Sequence, residues 1–218
     1  MLPGPVAGRK EFPHMALVGN DSYFCGGSLI SDQWVLTAAH CLPATFVKLG
    51  SNRRSDSNER HLKYLVIEGI IHPEFRHTKV LLNDIGLLKL DRVVAFTDRI
   101  VPICLPQAPM TEQHALATGW GLNASIPSEF LMKVQLDMFS FDECKNYNFR
   151  VNKDMMICAG QKKRRQETCH GDCGEFIKSN IIRISILSIV QSRWSFTSIS
   201  RRYAMHAYSD WNNFSWLW

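Results

Sequence analysis

The chain has 218 residues, is 45% hydrophobic and carries a formal net charge of +5. This is enough for one large β domain, or two small ones, with a real core. The charge is too modest for a nucleic-acid surface, which needs clustered basic residues interleaved with stacking aromatics, and no apolar stretch is long enough to span a membrane.

Short apolar runs recur at 14–18, 24–30, 34–37, 46–49, 62–71, 85–90, 115–118 and 133–138, separated by Gly, Pro, Asn and Asp. Many short strands at such spacing predict an all-β barrel or sandwich. Ser140-Phe141-Asp142-Glu143 has the spacing of a capping box and predicts a helix over 141–147. Lys162-Lys163-Arg164-Arg165 is the one basic run; a solvated loop is favoured there over a polyanion exosite. The segment 181–190 is apolar but short, and Arg183 interrupts it. Beyond Gly174 the composition changes abruptly. All 13 glycines, 9 prolines and 7 cysteines lie at or before that residue, while Ile and Ser fill 16 of the last 44 positions.

The cysteines at 25, 41, 104, 144, 158, 169 and 173 suit an oxidising compartment better than the cytosol. Asn20-Asp21-Ser22, Asn123-Ala124-Ser125 and Asn213-Phe214-Ser215 are glycosylation sequons, a weak sign of secretion. Residues 1–15 contain no apolar run, so no signal peptide is encoded there. The simplest reconciliation is that the true amino terminus lies upstream.

Three motifs carry chemistry. In Thr37-Ala38-Ala39-His40-Cys41 a buried strand ends in a tight turn with His40 at its tip, and Cys25 lies 16 residues earlier. A Cys25–Cys41 bridge would pin that turn to the neighbouring strand. In Asn83-Asp84-Ile85-Gly86-Leu87-Leu88 an acid opens a strongly apolar strand, where a carboxylate is costly to bury unless paired. The Nδ1–H of His40 is its natural partner, although an Asn-Asp pair also initiates turns. The third motif is Gly171-Asp172-Cys173-Gly174.

On these motifs the chain resembles the chymotrypsin/trypsin-like serine proteases, whose chain order is His, Asp, nucleophile. Further support comes from Glu11-Phe12-Pro13-His14-Met15-Ala16, Val101-Pro102-Ile103-Cys104-Leu105-Pro106, Ala117-Thr118-Gly119-Trp120-Gly121 and Ile157-Cys158-Ala159-Gly160. The wording is similar to insect trypsin-like proteases. The resemblance covers residues 1–174. It implies two six-stranded antiparallel β-barrels in one peptidase domain over 1–218: a first barrel over about 12–105, a second over about 106–174 that is incomplete, and an atypical tail over 175–218.

The resemblance also assigns roles. His40 would be the general base, Asp84 its orienter and Cys173 the nucleophile. The backbone N–H groups of Gly171 and Cys173 would form the oxyanion hole. Glu167 would set a preference for Arg or Lys, with His170 touching substrate, and Asp172 would be the acid that pairs with the freed amine on activation. Cys25–Cys41 and Cys144–Cys158 are the implied disulfides. No metal or cofactor is implied. The implied partners are protein or peptide substrates, protease inhibitors or partner proteases, with no nucleic acid or membrane. A secreted, extracellular monomer is expected.

The pattern departs from the family at several places. Cys173 stands where the family has Ser, and a thiol is larger and far more acidic than a hydroxyl. It can act as a weak nucleophile, pair with Cys169 or remain inert. Glu175-Phe176 replaces Gly-Pro, and the tail has neither the Ser-Trp-Gly strand nor a cysteine to bridge Cys169. Cys104, Cys169 and Cys173 have no family partner. Met1-Leu2-Pro3-Gly4 stands where the activated family begins Ile-Val-Gly-Gly. A shifted reading frame or retained intron is favoured over a diverged domain for the tail. Three readings stay open: an endopeptidase preferring Arg or Lys, a non-catalytic protease homologue that binds a partner, and a truncated or misassembled product without function.

Overall fold

The computed structural model describes residues 4–55, 62–77, 81–105, 114–123, 126–145, 157–160 and 181–184. The first half forms β1 (Met15–Gly19), β2 (Phe24–Leu29), β3 (Trp34–Thr37), β4 (Phe46–Leu49), β5 (Lys63–Ile71), a short hairpin of β6 (Arg76–His77) and β7 (Leu81–Leu82), and β8 (Gly86–Leu90). The second half forms β9 (His114–Gly119), a hairpin of β10 (Leu122–Asn123) and β11 (Ile126–Pro127), β12 (Met132–Phe139), helix α1 (Phe141–Lys145), β13 (Ile157–Gly160) and β14 (Ile181–Ile184).

Six strands close a barrel in the order β1-β2-β3-β8-β5-β4. Alternation drives this closure. In β4, Val47 and Leu49 point inward and are fully buried, while Phe46 and Lys48, which alternate with them, are half-buried on the outer face. The interior is filled by Val18, Leu29, Val35, Leu88 and Leu90, all inaccessible to solvent. Each buried side chain of this size contributes about 1.5–3 kcal/mol of transfer free energy. Strand β8 is buried on both faces: Leu88 faces the barrel interior, whereas Leu87 packs with Trp34 and Leu36 in a second cluster. That explains why its sequence reads as a continuous apolar run rather than an alternating one.

The second half is an antiparallel sheet of order β14-β13-β12-β9, with Ala115, Ala117, Val134, Leu136 and Ala159 as its core. Among the described residues the second barrel is therefore this partial sheet, and the whole is the expected all-β architecture. Strand β14 falls inside the stretch set apart by composition and pairs with β13, Cys158 standing opposite Arg183. The two halves are joined by Met15, Leu17, Trp120 and Leu131, which pack together with Ala7. The amino-terminal segment straps onto β12: Ala7 N–H donates to Leu131 O at 2.8 Å, and Lys133 N–H donates to Pro5 O at 3.1 Å.

The expected helix is present over Phe141–Lys145. Its capping box forms reciprocally. Ser140 Oγ accepts the Glu143 N–H at 3.3 Å, and the Glu143 carboxylate accepts the Ser140 N–H at 2.8 Å. Ser140→Ala is expected to cost about 1 kcal/mol, measured by denaturant unfolding, and Ser140→Asp much less.

Candidate active site

His40 is placed by a single 3-10 turn, Ala39–Cys41, that follows β3 directly. Asp84 lies two residues before β8. Strands β3 and β8 are neighbours in the barrel, with Thr37 opposite Gly86. The end of one strand and the beginning of the other thus meet at the same rim, and the two side chains converge there. Gly86 sits in a crowded place at this rim. A Cβ at that position would stand 2.9 Å from Leu42 Cδ1, 3.3 Å from Ile70 O and 3.5 Å from Ala39 Cα.

The Asp84 carboxylate binds the same histidine twice. Oδ2 lies 2.6 Å from His40 Nδ1, and Oδ1 accepts the His40 backbone N–H at 2.9 Å. An ionised carboxylate only accepts hydrogen bonds, so Nδ1 is the donor in this contact. The Asp84 side chain is 9% exposed and the imidazole 44% exposed. The acid is thus shielded behind an imidazole that faces solvent. Asn83 holds the preceding backbone in the left-handed region, φ 53°, which Asn tolerates better than most residues, and its side-chain amide donates to Glu74 O at 3.2 Å.

The turn is held from the other side by the Cys25–Cys41 disulfide, which links it to β2. Thr37 Oγ1 donates to Gly26 O at 2.9 Å across the same two strands. Two further braces had no local signal that would single them out. The Tyr23 hydroxyl lies 2.6 Å from Pro43 O and 3.1 Å from Cys41 O, and Asn20 Nδ2 donates to Pro43 O at 3.1 Å. Asn20 is recognisable in the sequence only as part of a sequon, and Tyr23 only as a residue beside β2.

A nitrogen of His40 and the sulfurs of Cys25 and Cys41 lie within 4.8 Å of one another. The sulfurs are bonded to each other, so this group is a disulfide beside an imidazole rather than a set of thiolate ligands. Cys158 is also disulfide-bonded, with a partner outside the described side chains; the Cys144 side chain is among those not described. Cys104 is an exposed free thiol. Glu167, Cys169, His170, Gly171, Asp172 and Cys173 lie outside the described residues, as does the basic run at 162–165. The structure therefore brings together His40, Asp84 and the Cys25–Cys41 pair. Among the described residues no helix is long and apolar enough to cross a membrane.

Comparison with known proteins agrees with this geometry. A family model described as Trypsin matches residues 3–177. The chain is 34% identical over 201 residues to mannan-binding lectin serine protease 1 of Mus musculus, an alignment covering 78% of this chain and 28% of that protein. It is 34% identical over 214 residues to melanization protease 1 of Drosophila melanogaster, covering 80% and 52% respectively. Kallikrein 1-related peptidase b3 of Mus musculus is 33% identical over 176 residues, covering 74% of this chain and 67% of its own length. The chain thus spans about a quarter to a half of the first two of these relatives. A closed six-stranded barrel with a histidine–aspartate pair at its rim, a second antiparallel sheet, and a family match over four fifths of the residues together place this chain in the trypsin-like serine protease family.

Proposed function

We propose that the chain is a trypsin-like endopeptidase unit that cleaves protein or peptide substrates after Arg or Lys, with Cys173 as a weak surrogate nucleophile. The observation that carries this reading is the 2.6 Å contact between His40 Nδ1 and Asp84 Oδ2, which occupies Nδ1 and leaves Nε2 for the role of general base. In this mechanism Nε2 takes the Cys173 thiol proton and the sulfur attacks the scissile carbonyl. Backbone N–H groups of Gly171 and Cys173 stabilise the oxyanion. The imidazolium returns the proton to the leaving amine, and water then hydrolyses the thioester by the same route. Glu167 supplies the negative charge that selects a basic side chain, His170 lines the approach, and Asp172 pairs with the amino-terminal amine that orders the site. Sulfur is larger than oxygen, so a site shaped for a hydroxyl holds it off the attack trajectory, and small misplacements of this kind are costly. The Cys25–Cys41 bond supports an extracellular setting.

The refolded, disulfide-bonded chain is expected to hydrolyse an Arg ester slowly, and the rate should vanish on His40→Ala and on thiol alkylation. A wild-type rate equal to that of His40→Ala would remove the catalytic reading. The specific observation favouring the alternative, a non-catalytic homologue that binds a partner protease or inhibitor, is Cys173 itself in place of Ser. The compositional break after Gly174 supports a further expectation: Cys173→Ser alone restores nothing, because the residues that line the pocket in the family are also replaced. Near-normal esterase activity in that variant would overturn this boundary.

A further inference from the structure

We propose that Asn20 is an N-glycosylation site whose glycan stands beside the turn that carries His40. Asn20-Asp21-Ser22 is an acceptor sequon at the tip of the β1–β2 hairpin, and Asp21 and Ser22 are exposed. In the folded hairpin the Asn20 carboxamide has defined partners. Asn20 Oδ1 accepts the Ser22 N–H at 2.8 Å and the Tyr23 N–H at 3.1 Å, which is an Asx turn. With its oxygen held inward, the carboxamide presents Nδ2 toward Pro43, where it donates to the carbonyl at 3.1 Å.

A carboxamide nitrogen carries two hydrogens. Glycosylation replaces one and leaves the other for Pro43, so the modification is compatible with the folded hairpin. The donor is a lipid-pyrophosphate-linked oligosaccharide. Nδ2 attacks the anomeric carbon, the N–C bond forms, and the C–O bond to phosphate breaks. The lipid pyrophosphate leaves, and the displaced amide proton passes to a base on the transferase.

The position gives the site its interest. Pro43 O also accepts the Tyr23 hydroxyl, and Thr45 N–H donates to Gly19 O at 2.9 Å. The hairpin tip and the 41–45 segment are therefore one braced unit, and Pro43 and Thr45 are exposed on it. A glycan rooted at Asn20 stands against this exposed side of the 41–45 segment.

The proposal rests on the secretory setting proposed above, so the test supplies that route and lets the two fail separately. The chain is expressed behind a secretory leader in a eukaryotic host. Lumenal and secreted protein are pooled, treated with an N-glycan amidase in heavy-oxygen water and mapped by mass spectrometry. The expected result is a glycan on the peptide containing Asn20, converted by the enzyme to isotopically heavy Asp. It should be absent in Ser22→Ala and retained in Ser22→Thr. Ser22→Ala keeps both backbone donors and the Asn20 amide, and glycan transfer precedes folding, so misfolding does not mimic the loss. Unmodified Asn20 in the translocated wild-type chain, or a glycan on that peptide that survives Ser22→Ala, overturns the proposal.

Discussion

Asp84→Asn is expected to lower kcat for an Arg ester by about 10,000-fold while changing KM far less. Asp84 accepts from two donors of one residue, the His40 backbone N–H at 2.9 Å and the ring Nδ1–H at 2.6 Å. Asparagine offers one acceptor and one donor group in the same plane. If its oxygen keeps the backbone N–H, its NH2 faces Nδ1 and drives the ring proton to Nε2, which destroys the base. If its oxygen keeps Nδ1–H, two donors meet at the His40 backbone. Either arrangement removes transition-state stabilisation of about 5.5 kcal/mol. The rate of the wild-type chain is expected to be low, so single-turnover acylation of Cys173 is the suitable measurement. Acylation in Asp84→Asn as fast as in wild type would show that the pair is a structural remnant.

Acidification is expected to cost the fold roughly 3 kcal/mol between pH 6.5 and about 4 through one residue, His14. His14 is 7% exposed, and burial pushes its imidazole pKa down from 6.5 to about 4. The folded state holds it neutral, whereas the unfolded chain protonates it at the ordinary value. The stabilisation is therefore fully present above pH 6.5, is lost as pH falls toward 4, and changes no further below both values. Three carboxylates are also shifted down, and their contribution is lost at lower pH than that of His14. The Ser55 hydroxyl holds Glu129 below its ordinary range, and Lys10 does the same for Asp98. For Glu11, burial pulls upward but is outweighed by the Lys133 and Gly8 hydrogen bonds, so the net direction is also down. Denaturant unfolding at several pH values should show a decline across the histidine window in the wild type. His14→Leu should flatten it, and an unchanged slope in that variant would assign the decline to another group.

Local sequence carried much of the fold. β3 and β4 fall on the 34–37 and 46–49 runs without adjustment; Gln33 precedes the first, and Thr45 and Gly50 bound the second. Strands β1, β2, β5, β8, β9 and β12 overlap their runs and differ by a residue or so at the ends. Hairpins β6–β7 and β10–β11 escaped notice because a two-residue ladder has no periodicity to detect. β13 stood in the sequence only as the motif Ile157-Cys158-Ala159-Gly160. β14 was hidden because an isolated apolar run does not disclose its partner.

His40 and Asp84 were recognisable by residue type, by position relative to an apolar strand and by order along the chain. Their meeting was not contained in either motif. They are 44 residues apart, and what joins them is the pairing of β3 with β8, Thr37 opposite Gly86. A shift in that register would carry them apart. The support from Tyr23 and Asn20 depends likewise on the β1–β2 hairpin folding back over Pro43. Periodicity and turn chemistry act between residues a few positions apart, and so determine which segments become strands and which side chains stand at their ends. Barrel closure acts between segments distant along the chain. It alone set the 2.6 Å contact, buried the carboxylate behind the imidazole, and placed a sequon beside the same turn.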